Sequence, residues 1–288
     1  MFRKIFNSAV YFSAFICMFS SCKKEDNKPE PFVFYSIAIN GNTVSFTNKS
    51  TGAASYKWDF GDGIESTEES PVHSYPGKGK YVPTLYATSS DGITGEASTV
   101  IYISKTSPVK LDDHSLADWD TITYNKVVGG AGAGNFITAK YDYDGDNVYF
   151  YFEQKTSKSN GNIYDLYIDA DNDISTGYLT NEIPGGAYEI LLEGTIFDGW
   201  LDVYYHSGDQ SSFDGYQPQS INEFYTVGTW QEKDGILKFE GALKRSKLKG
   251  LTGQGLKIGV QVASYDWSAI IGYSPDIESD AFFLDMSQ

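Results

Sequence analysis

"YKWDFGDGIESTEESPVHSY", running from Tyr56 to Tyr75, governs how the first part of the chain is read. Trp58 and Phe60 alternate with Lys57 and Asp59, so in an extended backbone the two rings share one face and enter a core. Gly61 and Gly63 stand where the alternation stops, and glycine supplies the positive φ that a tight turn requires. Asp59 and Asp62 flank that turn, where short carboxylates accept backbone amides. On either side, "VSFTN" (44–48) and "YVPTLYATS" (81–89) alternate apolar and polar residues between turn formers. Residues 34–104 therefore read as a small β-sandwich. Pro83 removes a ladder donor inside its last long strand and predicts an edge or a bulge there.

The same stretch resembles the PKD domain, whose mark is W-D-F-G-D-G followed by P-x-H-x-Y and a G-x-Y strand. Trp58, Asp59, Phe60, Gly61, Asp62, Gly63, Pro71, His73, Tyr75, Gly79 and Tyr81 all fall in place. The resemblance implies immunoglobulin-like topology and a spacer or interaction module without chemistry of its own. Asp59, Asp62 and His73 are accordingly expected to shape the turn rather than act on a substrate.

At 288 residues the chain has room for two domains, each with its own core. A composition of 16% aromatic residues, with 22 Tyr, 18 Phe and 29 Gly, favours strands joined by tight turns. The expected class is all-β, with two β-sandwich domains. After a linker at 105–110 ("KTSPVK"), residues 111–288 show longer strand patterns at 136–143, 147–154, 164–169, 188–193, 200–205, 226–231, 236–242, 257–264 and 281–286. These predict a second, larger sandwich, with "KRSKLKG" (244–250) as a single helical turn.

Residues 1–21 have a positive end at Arg3 and Lys4, an apolar run over 9–19 and small residues before Cys22. Such a run is too short to span a bilayer and reads as a signal peptide. Its end, "FSSC", resembles the bacterial lipobox, which implies cleavage before Cys22, lipidation of that cysteine and an outer-membrane anchor through acyl chains. Cys17 would leave with the leader, so no disulfide is expected. Residues 22–33, opening with "CKKEDNKPEP", are charged and predict a disordered tether. That tract resembles the one that follows the lipidated cysteine in surface-exposed lipoproteins of the Bacteroidetes, and implies display at the cell surface. The formal charge is −16, and loss of Arg3 and Lys4 takes it to about −18. Nucleic acid is excluded as a partner by that charge.

Within the second region, "YDLYIDADNDISTGY" (164–178) places Asp169, Asp171 and Asp173 at alternate positions. An EF-hand loop beginning at Asp169 would need Gly at its sixth position and Glu at its twelfth, where Ile174 and Thr180 stand. That option fails. Asp169 is expected to end a strand at the sheet rim, with Asp171 and Asp173 in the following loop. Three carboxylates so placed repel one another unless a cation, lysines or solvent screens them. Oxygen ligands with no His or Cys nearby in sequence favour Ca²⁺ over transition metals, and the alternative is a solvated turn before Gly177.

Several phrases in order resemble the family 9 carbohydrate-binding module and its DOMON-like relatives: "LADW" (116–119), "AKYDYDGDNVYFYFE", "LYIDADNDISTGY", "GGAYEILLEG", "FEGALKRSKLKGL" and "LKIGVQV". The resemblance implies a jelly-roll-like β-sandwich, bound structural calcium and, in some members, a sugar held between aromatic rings. Trp119 is then a core anchor. Sugar rings need flat aromatic surfaces with amide or carboxylate partners, and the candidate platforms are Trp267, Trp230, Trp200, Tyr188, Tyr178 and Tyr273. Trp267 leads because "SYDWSAIIGYSP" breaks strand alternation and reads as a loop.

No pair of carboxylates is fixed by a motif, and G-x-S-x-G and H-E-x-x-H are absent, so no enzyme is expected. Haem ligation, known among DOMON relatives, would have to use Met286 and His206, which nothing in the sequence ties together. The main expectation is a surface lipoprotein that captures polysaccharide or glycan, alongside proteins of a glycan-uptake system. The competing class is a non-catalytic adhesion or structural accessory that contacts another protein.

Overall fold

The computed structural model describes residues 29–251 and 255–287. The expected signal peptide, Cys22 and most of the expected tether lie outside these residues. The tether's last residues are not free chain: Phe32 bridges Thr51 through two backbone hydrogen bonds of 2.9 and 3.0 Å, and Pro31 is buried. Ordered packing thus begins earlier than the charge pattern of 22–33 predicts.

The first sandwich comprises β1 (Tyr35–Asn40), β2 (Thr43–Asn48), β3 (Ser55–Asp59), β4 (Glu65–Ser66), β5 (Val72–Ser74), β6 (Gly79–Tyr81), β7 (Thr84–Thr88), β8 (Thr94–Ser98) and β9 (Ile101–Ile103). One sheet runs β4-β3-β7-β8 and another β1-β2-β5, with β6 and β9 paired separately. Trp58 is fully buried, 4.9 Å from the rings of both Tyr35 and Phe46, and its Nε1–H reaches the Glu68 carbonyl at 3.1 Å. Loss of such a side chain leaves a cavity worth about 3–5 kcal/mol. Asp59 accepts the Gly61 amide and Asp62 the Ile64 amide, while Gly61 and Gly63 take φ of +79° and +90°. Asp62 also meets His73 Nε2 at 2.7 Å, and the His73 ring lies flat on Phe60 at 4.0 Å. Pro83 does more than bulge a strand. The expected strand over 81–89 splits there, β6 pairing with β9 and β7 with β3 and β8, so the proline marks where the chain changes sheets.

The second sandwich comprises β10 (Lys126–Val128), β11 (Phe136–Tyr143), β12 (Asn147–Gln154), β13 (Ile163–Asp169), β14 (Ile190–Gly194), β15 (Asp202–His206), β16 (Tyr216–Gln219), β17 (Tyr225–Lys233), β18 (Ile236–Lys244), β19 (Gly255–Ala263), β20 (Ile270–Ser274) and β21 (Phe282–Asp285). A five-stranded sheet, β10-β11-β12-β18-β17, faces a seven-stranded one, β16-β15-β14-β13-β19-β20, with β21 also on β19. Between them Phe150, Phe152 and Phe239 meet Tyr164, Leu166, Ile190, Leu192, Val260 and Val262. The all-β, jelly-roll-like expectation holds. Three short strands went unpredicted: β10, β16, and β20, which occupies part of the expected loop around Trp267. The expected strand at 188–193 begins only at Ile190, because Tyr188 instead forms an isolated bridge with Tyr178. "KRSKLKG" does hold one helical turn, Arg245–Lys247.

The linker is anchored. The Lys105 ammonium bonds Asp142 Oδ1 and the Tyr143 carbonyl, Ser107 Oγ bonds Asp142 Oδ2, and Val109 is buried beside Trp119. Trp119 donates Nε1–H to the buried Glu240 at 2.8 Å, which makes it a packing anchor on the outer face of the five-stranded sheet. Among the described residues no helix is long and apolar enough to cross a membrane.

Candidate functional site

Alternation along β13 sends Tyr164, Leu166 and Ile168 into the core and Asp165, Tyr167 and Asp169 to the opposite face. Asp169 ends the strand, as the sequence predicts, yet it is fully buried rather than at an open rim. Its Oδ1 accepts the Asn172 amide at 2.7 Å; its Oδ2 accepts the Ala187 amide at 3.2 Å and lies 3.3 Å from Lys257 Nζ.

The carboxylates that converge are Asp169, Asp171 and Glu189, with one oxygen of each within 4.8 Å of the others. Asp173 does not join them. Its Oδ1 closes its own turn on the Ser175 amide and hydroxyl at 2.9 and 2.6 Å, and those donors hold its carboxyl below the usual range. Glu189 takes the place expected of Asp173. Thr176 Oγ1 bridges the pair, donating to Glu189 Oε1 at 2.8 Å and lying 3.1 Å from Asp171 Oδ2. Burial raises the Glu189 carboxyl, against the lowering effect of the Ala170 amide and the Thr176 hydroxyl. A recess of about 290 Å³ adjoins Asp171 and Glu189 and is also lined by His206 and Lys249. The sequence places no histidine nearby; the fold brings one in, with its Nε2 engaged by the Ser212 carbonyl at 3.0 Å. Met286 is buried in the main core while His206 lies on the other face of the sheet, so the two cannot share a haem.

The aromatic candidates divide sharply. Tyr188 has no exposed surface and its hydroxyl bonds the Ile183 carbonyl, which removes it as a platform. Tyr178 is half-buried among His206, Phe213 and Tyr216. Tyr273 is half-buried, its hydroxyl 3.5 Å from Glu182. Trp230 is 46% exposed, but the Lys158 ammonium sits 4.5 Å from its ring centroid and 5.4 Å from that of Phe197, so a cation already occupies the ring face. Trp267 is equally exposed in the 264–269 turn with φ of +58°, as its loop reading predicts.

Trp200 differs from all of these. It is 44% exposed, its Nε1–H is fixed by Asp202 Oδ2 at 2.8 Å, and it borders a groove of about 600 Å³ lined also by Gln219, Asn222 and Glu223. A pinned indole beside amides and carboxylates presents both the flat apolar face and the hydrogen-bonding groups that a polyhydroxylated ring requires. Sequence alone ranked Trp200 below Trp267 because the groove is assembled by β15, β16 and the 220–224 loop, which are adjacent only in the fold.

Fold and motif together define the first sandwich as a PKD domain: residues 32–103 match the family model of that description. A microbial collagenase of Vibrio alginolyticus is 32% identical over 95 residues, a match covering 31% of this chain and 11% of the collagenase. The chain thus spans about a tenth of the length of such curated relatives. The PKD1 domain of Vibrio anguillarum Epp is 32% identical, over 26% of this chain and 94% of that one, with a TM-score of 0.25. A carbohydrate-binding module of the β-sandwich superfamily superposes over 85% of this chain and 98% of its own at 14% identity and a TM-score of 0.29. That superposition is too loose to carry an assignment, so the second sandwich stands on its own sheets.

Proposed function

We propose that this protein is a non-catalytic, lipid-anchored surface protein whose second sandwich binds glycan, with the PKD domain as a spacer. The observation that carries the reading is Trp200: an exposed indole held in place by Asp202 at the mouth of a polar groove. Anchorage through Cys22 at the outer membrane, and cooperation with a glycan-uptake system, extend the same proposal from the sequence pattern. Adhesion to another protein is the reading it displaces.

The carboxylate group fits a hard cation by its chemistry, since all of its donors are oxygens and Thr176 already draws two of its members together. Asp169, Asp171 and Glu189 would hold Ca²⁺, and the ion would brace the 170–189 loop against the sheet. The test of the main reading is a titration of the full chain with a panel of plant, host and bacterial oligosaccharides. Saturable binding that Trp200→Ala weakens at least tenfold, about 1.4 kcal/mol, is expected. Failure to bind any glycan, with retained binding to a protein partner, would return the protein to the adhesion class.

A further inference from the structure

From Asp202, at the edge of the Trp200 groove, a row of paired side chains crosses the sheet. Asp202, which fixes the Trp200 indole, stands directly opposite Glu193; Glu193 stands opposite Asp165, and Asp165 opposite Gln261. Side chains so paired on one face have Cβ atoms about 4.5–5.5 Å apart. Three carboxylates on three adjacent strands therefore form one row, which passes from exposed Asp202 through half-buried Glu193 to Asp165 at 2% exposure. Like charges directly opposite one another destabilise a sheet. Among the described residues none of the three is ion-paired with a lysine or arginine.

A second observation points to a ligand. Asp165 Oδ2 accepts the Gln261 amide at 3.1 Å, but Oδ1 is buried with no hydrogen-bond partner. Buried polar atoms in folded proteins are normally satisfied, and one that is not marks a place where something else belongs. Burial, and then the Glu193 charge, push the Asp165 carboxyl from the ordinary 3.8 to about 8. The other titratable groups around it, Tyr167, Tyr204 and Tyr216, bring no positive charge. Tyr167 and Tyr204 both stand opposite Leu191 in the adjoining row and flank the carboxylates with aromatic surface.

We propose that this row is a site for a protonated primary amine carried on a hydroxylated ring, that is, for an amino sugar within a glycan. The ammonium brings three donors and no acceptor, which matches the unpartnered Asp165 oxygen and the Glu193 carboxylate. Trp200 would lie under the adjoining sugar. Binding ionises Asp165 and releases its proton to solvent, leaving a carboxylate–ammonium pair. The sugar part rests on the glycan reading above; the ammonium site does not.

The test is calorimetric titration of the full chain at pH 7, in two buffers of different ionisation heat, with a glucosamine tetramer, an N-acetylglucosamine tetramer, a cellotetraose and spermidine. The glucosamine tetramer is expected to bind at least about tenfold tighter than the other two sugars, with a net release of up to one proton per site, less the share taken up by amine that arrives unprotonated at this pH. Asp165→Asn, which keeps the shape, should abolish both the preference and the proton release while circular dichroism confirms an intact fold. Trp200→Ala should weaken every sugar. If the acetylated or neutral tetramer binds as tightly as the amine, the amine proposal falls and the glycan reading stands. If spermidine binds in an Asp165-dependent way and no sugar does, the ammonium site stands and the glycan reading falls. No binding by any probe overturns both.

Discussion

Asp165 and Asp169 lie four residues apart on one strand, face the same way and are both shut off from water. Asp169 is met on both oxygens, by the Asn172 and Ala187 amides and the Lys257 ammonium. Asp165 is met on one, by a neutral amide, and has a carboxylate opposite instead of a cation. Burial alone therefore does not set the behaviour of a carboxylate; the donors arranged around it do. Of the two, only Asp165 keeps an oxygen that no group of the fold meets.

The largest effect is expected at Asp169. Asp169→Ala leaves the Lys257 ammonium without its partner and the Ala187 amide without its acceptor, and should cost about 3 kcal/mol in a urea melt. A loss below about 1 kcal/mol would mean that those partners find substitutes and that the two aspartates are not different in kind. Asp165→Asn should act in the opposite direction. The Asp165 carboxyl is raised, so its contribution to stability is complete below the unfolded-state value near 3.8 and declines as pH climbs to about 8. At pH 8 the asparagine variant should be the more stable by on the order of 1–3 kcal/mol, and at pH 4 it should match the wild type. A smaller effect is expected from calcium. Its addition should stabilise the wild type by about 1–2 kcal/mol and leave Asp171→Ala unmoved, as read by melting with and without chelator. An identical response in both proteins would remove the cation from Asp171.

How far these features can be read without coordinates depends on how local their causes are. The PKD sandwich is legible because Trp58, Gly61, Asp62 and His73 sit within one short phrase and each has a nearby partner. The long strands of the second sandwich are legible because apolar runs such as 147–154 admit little else. The convergence of the three carboxylates is only half legible. Asp169 and Asp171 belong to one phrase, but Glu189 arrives from the far side of the 171–187 loop, and Asp173 is claimed by its own turn. The acidic row is legible in one residue alone, since Asp165 interrupts an otherwise apolar strand. Its alignment with Glu193, Asp202 and Gln261 follows from strand register, which the pattern of each strand alone does not specify. Tyr188 shows the reverse error: an amphipathic ring in a turn-rich segment reads as a platform, yet its hydroxyl is satisfied internally and the ring is buried.

In the proposed function, ligand recognition belongs to the outer face of the seven-stranded sheet beside Trp200, and not to the turn that carries Trp267. Parallel titrations of Trp200→Ala and Trp267→Ala, with whichever oligosaccharide the wild type binds, test it directly. At least a tenfold loss, about 1.4 kcal/mol, is expected for Trp200→Ala, and unchanged affinity for Trp267→Ala. Full affinity in Trp200→Ala together with loss in Trp267→Ala would contradict it.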